Sequence, residues 1–378
     1  MAKLELIATA TFGLEAIVKR EIEALGYRIL QSENGKISFL GDERAVVRAN
    51  LWLRCADRVQ IKLAEFHADT FTQLFEQTKA LPWEQWICMD GQINVSGTSV
   101  KSQLHSVPAC QGMVKKAIIE KLKETYLIEE FPETGLPFGI KVAIVKDRVT
   151  LSLDTTGEGL HKRGYRKHPV AAPIKETMAA AMVSLSFWKP DRLLVDPFCG
   201  SGTIAIEAAL MERNIAPGLG RRFWAEDWEY IPQALWKEER RAAYSAVDYE
   251  KELRIVAGDI DTSAAQAAMA NAEEAGVDDC IQVKLADACK LAAKEPYGVI
   301  ITNPPYGQRI GELAQLPPLY RHLAGFLKEN PTWSLYLITA DKEFEQHMGR
   351  PADRRRKLYN GRLETCLYQY YGTRPPRE

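Results

Sequence analysis

The chain has no run of 18 apolar residues, so no membrane-spanning helix is expected. Its opening, MAKLELIATA, places Glu5 where a secretory leader would need an unbroken apolar core, which argues against such a leader. Seven cysteines are scattered without a CxxC pair. Their odd number and scatter argue for reduced thiols in the cytoplasm rather than a disulfide framework. Six histidines are equally dispersed, HExxH is absent, and no metal is expected. Positive charge is not in excess either: the formal net charge is -1, so composition alone does not indicate a nucleic-acid partner. What remains is an ordinary globular composition in 378 residues, long enough for two or three domains with full cores.

The stretch LLVDPFCGSGTIAIEAALM, residues 193–211, carries the first chemical signal. A short apolar run ends at Asp196-Pro197, passes through Gly200-Ser201-Gly202, and enters a segment rich in helix formers. Strand, glycine turn and helix in this order bring backbone amides and the positive end of a helix against a ligand. The G-x-G-x-x-G spacing fails at Ala205, and the P-loop Lys-Ser/Thr ending is missing. The turn therefore suits a nucleoside-like ligand without a pyrophosphate. Asp196, Phe198, Gly200, Gly202 and Thr203 are its candidate cofactor contacts, with Asp196 ordering the turn or meeting the ligand's amino-acid end.

The second signal is YGVIITNPPYGQR, residues 297–309. Prolines stiffen the loop after a short strand and hold carbonyls outward. Asn303 offers a side-chain acceptor, Pro304 a backbone acceptor and Tyr306 a stacking face, which together match a flat ring bearing an exocyclic amine. Adenine, guanine, cytosine and glutamine all present such an amine, and a turn with a packed tyrosine would read the same way. Further acidic strand ends follow: Asp259 with Ile260 after a strand at 254–258, and Asp287 with Ala288 after another. Asp259 suits the ribose hydroxyls, while Asp261 can cap the next helix.

DPFCGSGT followed by NPPYG resembles the S-adenosylmethionine-dependent amino-methyltransferases. Nearly the whole chain is similar to the THUMP-domain 23S ribosomal RNA guanine-N2 methyltransferase family, once labelled N6-adenine-specific DNA methylases. The resemblance implies an α/β, Rossmann-like class I methyltransferase domain preceded by ferredoxin-like and THUMP α+β domains. The expected boundaries are 1–65, 66–165 and 166–378. It implies S-adenosyl-L-methionine as cofactor, structured RNA as partner, with 23S ribosomal RNA the expected one, and Asp287 as acceptor for the cofactor's adenine. Thr177 and Glu176, on a helix over 174–188, and Asn303 join the pocket on the same basis. The runner-up activities are N6-adenine methylation of DNA or RNA, and structured-RNA binding without catalysis.

Local patterns support this order. Apolar spacing predicts a helix from Leu14, Asn34-Gly35 predicts a hairpin, and residues 42–53 and 59–65 read as helix and strand. The THUMP-like stretches are FHADTFTQLFEQTKALPWEQWI, VKSQLHSVPACQGMVKKAI and DTTGEGLHKRGYR. An amphipathic helix is expected over 112–127 and a strand turn at Lys146-Asp147. HKRGYRKH, residues 161–168, has four Lys/Arg and no acidic residue. Lys162, Arg163, Tyr165, Arg166 and Lys167 are therefore candidate RNA contacts, and so are Arg354, Arg355 and Arg356 in the cluster ahead of a hairpin at Asn360-Gly361.

Overall fold

The computed structural model describes residues 3–168, 170, 173–305, 316–361 and 363–376. Two compact units are formed. The first comprises residues 1–10, 18–160 and 222–241; the second comprises 11–17, 161–221 and 242–378.

The first unit is built on β1 (Leu4–Ala10), α1 (Glu15–Ala24), β2 (Arg28–Glu33), β3 (Lys36–Gly41), α2 (Glu43–Trp52) and β4 (Ala56–His67). It continues with α3 (Phe71–Lys79), β5 (Gln92–Val100), α4 (Val107–Tyr126), β6 (Pro137–Val145) and β7 (Arg148–Asp154). All seven strands join one sheet in the order β2-β3-β1-β4-β7-β6-β5. The ferredoxin-like and THUMP-like halves thus share a sheet, because β4 is long enough to pair with β1 on one side and β7 on the other. The Asn34-Gly35 turn closes β2 on β3 with Glu33 opposite Lys36. Lys146 and Asp147 both take positive φ, the hand that matches strand twist in a two-residue hairpin. Helix α4 begins at Val107, five residues before the expected start; Pro108 lies in its first turn, where an absent N–H costs nothing.

The second unit carries α5 (Glu176–Leu185), β8 (Leu194–Asp196), α6 (Thr203–Glu212) and part of α7 (Gln233–Ser245). There follow β9 (Ile255–Asp259), α8 (Thr262–Ala275), β10 (Ile281–Leu285), β11 (Val299–Thr302), α9 (Leu316–Glu329) and β12 (Ser334–Thr339). The unit closes with α10 (Phe344–Met348), β13 (Arg354–Asn360) and β14 (Leu363–Tyr370). Its sheet runs β10-β9-β8-β11-β12-β14-β13. The first five strands are parallel and β14 enters antiparallel between β12 and β13. Every residue of β8, β11 and β12 is buried, and accordingly they read as continuous rather than alternating apolar runs. Strand order reverses between β8 and β11, which makes the carboxyl ends of these two strands the expected ligand crevice. Among the described residues no helix is long and apolar enough to cross a membrane.

Candidate active site

At that crevice, β8 ends in Asp196 and β11 in Thr302. Both are buried, and the Thr302 hydroxyl donates to Asp196 Oδ1 at 2.6 Å. The Phe198 amide donates to the same oxygen at 3.2 Å. Burial, helped by the charge of Asp259, pushes the Asp196 carboxyl up to about 7, against the pull of the two hydrogen bonds.

The glycine turn is tied down from the neighbouring strand. Gly200 donates its amide to Asp259 Oδ2 at 2.9 Å, and Asp261 donates to Asp259 Oδ1 at 3.0 Å. Each carboxylate oxygen has a second lone pair, so Asp259 can still accept from a ligand hydroxyl. Asp261 caps α8 through Ser263. Gly202, with φ +80°, is the residue before α6; a Cβ there would lie 3.1 Å from the Ala268 Cβ. Only glycine satisfies both that backbone angle and the packing of α6 against α8. No side chain caps α6, which leaves the positive end of its dipole without a side-chain acceptor at Gly202. Cys199, in the same turn, is buried, and burial raises its thiol pKa, which does not suit a nucleophile.

The outer cofactor candidates occupy the ends of the adjacent strands. Ile260 is 72% exposed, an aliphatic side chain at the strand edge with no packing to explain it. Asp287 accepts from the Cys289 amide at 2.9 Å, and Ala288 is buried. A cavity of about 820 Å³ begins at Pro197, Gly258, Asp287 and Ala288 and runs along β9 and β10. Thr177 and Glu176 are buried at the start of α5. Asn303 is half-buried and Pro304 buried, directly beyond β11. Tyr306 lies outside the described residues.

The basic segment requires a correction. Arg163 and Tyr165 are buried, so they are not RNA contacts at the surface. Arg163 Nε donates to Glu207 Oε1 at 3.3 Å, and the Tyr165 hydroxyl donates to the same oxygen at 3.1 Å. Burial and the Glu207 charge hold the Tyr165 phenol well above its usual range. Glu207 is fully buried in α6, whose other residues from Thr203 to Leu210 are also buried, and Arg163 is its ion-pair partner there. Arg166 is mostly consumed inside the unit: it donates to Thr203 Oγ1 at 2.8 Å and to the Ile174 carbonyl at 2.7 Å, and it pairs with Glu176 at 3.4 Å. Only Lys162 and Lys167 of this group are exposed. Arg354 and Arg355 are exposed on the edge strand β13, Arg355 paired with Glu345 at 3.1 Å, whereas Arg356 donates to the Gly13 carbonyl at 2.7 Å.

Sequence reasoning missed Thr302 and Asn271. Asn271, buried in α8, accepts from the Lys167 and His168 amides at 3.1 Å and donates to the Ser201 carbonyl at 3.2 Å. It joins the basic segment to the glycine turn. An asparagine amid the alanines of α8 is its only sequence signal.

A doubly wound sheet with an ordered glycine turn, an acidic residue closing the second strand and an exposed aliphatic platform fits S-adenosylmethionine. These features define an S-adenosylmethionine-dependent methyltransferase. The comparisons carry this further. Residues 163–369 match the RMKL-like methyltransferase domain, 5–60 the RlmL ferredoxin-like domain and 68–154 the THUMP domain. The chain belongs to this THUMP-containing RlmKL methyltransferase family. It is 48% identical to the Bacillus subtilis protein named "Putative RNA methyltransferase YpsC", over all of this chain and 99% of the relative. It is 34% identical to the "Ribosomal RNA large subunit methyltransferase K/L" of Syntrophotalea carbinolica, over 98% of this chain and 54% of that longer protein. The solved structure of SMU.472, complexed with SAH, is similar at 42% identity and TM-score 0.92, over the full length of both chains.

Proposed function

We propose that the chain methylates the exocyclic N2 amine of a guanine in 23S ribosomal RNA. The observation that carries the amine chemistry is the Asn303-Pro304-Pro305 sequence directly beyond β11, at the switch point beside Asp196. S-adenosylmethionine, when bound, supplies an electrophilic methyl group on a sulfonium. Asn303 and the Pro304 carbonyl serve as hydrogen-bond acceptors for the target NH2. They orient its lone pair and stabilise the positive charge that develops on nitrogen. Asparagine has no proton-abstracting power at neutral pH, so the proton leaves to water. Tyr306 supplies the stacking face for a base taken out of its helix.

The ribosomal target rests on the family and on the name of the Syntrophotalea relative, of which this chain spans about half. Of the candidate RNA contacts, Lys162, Lys167, Arg354 and Arg355 are exposed, Lys167 paired with Glu274 at 3.6 Å and Arg355 with Glu345 at 3.1 Å. Seven free cysteines fit action in the reducing cytoplasm. The test is tritium transfer from labelled cofactor to total RNA, DNA and protein of a deletion strain, with the product nucleoside identified by mass spectrometry. N2-methylguanine in 23S RNA is expected. N6-methyladenine as sole product defeats the guanine assignment. Asn303→Ala is expected to lower single-turnover methylation about 10²–10³-fold with little change in cofactor affinity.

A further inference from the structure

The seven-stranded sheet of the first unit has two unlike faces. One carries the core residues Ile61, Leu153, Ile140 and Ile93. The opposite face is polar, and its side chains stand in register across four strands. Gln60 faces Asp154, Asp154 faces Gly139 and Gly139 faces Asn94; in the next row Lys62, Ser152, Lys141 and Ser96 are aligned.

Gly139 interrupts the first row. A Cβ there would lie 2.6 Å from the Trp224 ring, and one on Gly157 would lie 2.7 Å from the same ring. The two glycines thus seat Trp224, which is half-buried, at the rim of a cavity of about 490 Å³. Arg58, Gln60, Asn94, Ser96 and Lys141 also line it. Arg58 is committed to Asp154 and to the Gly157 carbonyl. Gln60 accepts from Ser152 at 2.8 Å. The side chains of Lys141, Asn94 and Ser96 make no hydrogen bond or ion pair among the described residues. Asp57 lines the cavity too, so the carboxylates of Asp57 and Asp154 offset Arg58 and Lys141 in formal charge, and the Lys141 ammonium is the cation there without an ion-pair partner among the described residues.

We propose that this cavity holds one unpaired nucleotide of the RNA substrate, its phosphate on Lys141, Asn94 and Ser96 and its base against Trp224. The inference rests on the reading of the chain as an RNA methyltransferase and adds a specific subsite to it. A cation, neutral hydrogen-bond donors and an indole are the groups that single-stranded nucleic acid engages without regard to sequence. Burial and the nearby Arg58 charge depress the Lys141 ammonium, so an anion arriving there restores a charge the fold disfavours.

The test uses the full chain with fluorescein-labelled octauridylate, followed by anisotropy across a salt series. Lys141→Met keeps the aliphatic stem and removes a charge that burial penalises, so it should fold. It is expected to weaken binding about 10-fold and to reduce the slope of log affinity against log salt by roughly 0.7. Trp224→Leu is expected to weaken binding by a similar factor, with cofactor affinity in both variants unchanged as the control for folding. Binding by Lys141→Met with the parent's affinity and slope overturns the subsite. So does a parent protein that methylates RNA but does not bind octauridylate. Failure of the RNA reading itself is seen separately, as absence of tritium in every RNA fraction.

Discussion

The hydroxyl of Thr302 and the carboxyl of Asp196 meet at 2.6 Å, in the buried gap where strand order reverses between β11 and β8. One hydrogen bond therefore links the strand that leads to Asn303 with the strand that leads to the glycine turn. Together with the backbone pairing of β8 and β11, this contact joins the loop beyond β11 to the cofactor turn.

Thr302→Val keeps the shape of the side chain and removes that bond. Asp196 then loses one of two donors while remaining buried, a cost of about 1–3 kcal/mol. A lower thermal midpoint and weaker cofactor binding by calorimetry are expected, with methylation falling further than binding. Unchanged midpoint and affinity would show that the bond positions nothing.

The raised carboxyl gives stability a defined pH dependence. Folding lifts Asp196 from 3.8 to about 7, so the folded state holds its proton more tightly than the unfolded state. Its stabilising contribution is complete below pH 4 and is lost as pH rises through 7, at about 1.4 kcal/mol per pH unit within that window. Asp196→Asn keeps an oxygen for both donors and abolishes the titration. Denaturant unfolding from pH 4 to 8 should show a stability difference, parent minus variant, that falls with pH. A constant difference contradicts the assignment.

Gly202→Ala should be costly at two levels. The φ of +80° is strained for alanine, and the new methyl would press on Ala268 at 3.1 Å. A loss of about 1–3 kcal/mol in stability is expected, together with weaker cofactor binding, because the start of α6 must shift. Calorimetry and thermal unfolding check both.

Arg163→Met strands the fully buried Glu207, and breaking such a pair costs about 3–5 kcal/mol. Adding Glu207→Gln should recover much of the loss. RNA affinity of the folded double variant should equal that of the parent, since Arg163 is buried among protein groups. A specific fall in RNA affinity at unchanged stability would return Arg163 to the interface.

How much of this was legible beforehand depended on whether a signal was local. Asn34-Gly35 and the run from Leu193 to Thr203 specify a turn or a strand–turn–helix through their own backbone preferences and apolar order. The Asn303-Pro304 loop carries its acceptors in consecutive residues. A reader of the sequence can therefore identify the methyltransferase turn, the loop proposed to face the target amine, and Asp259.

The fate of HKRGYRKH was not local. A basic segment looks the same whether its charges face water or a carboxylate 44 residues away, and only the packing of α6 brought Glu207 to Arg163 and Tyr165. The same applies to Thr302 and Asn271, ordinary polar residues until the sheet and α8 set them beside Asp196 and the glycine turn. The single sheet of the first unit arose in the same way, from the pairing of β4 with β7, strands separated by two helices and two other strands. The sequence by itself determined the elements and the two motifs, because turn chemistry and apolar period act over a few residues. Which charges are buried, and what holds the two motifs together, was decided only by tertiary structure, because burial and pairing depend on neighbours distant in the chain.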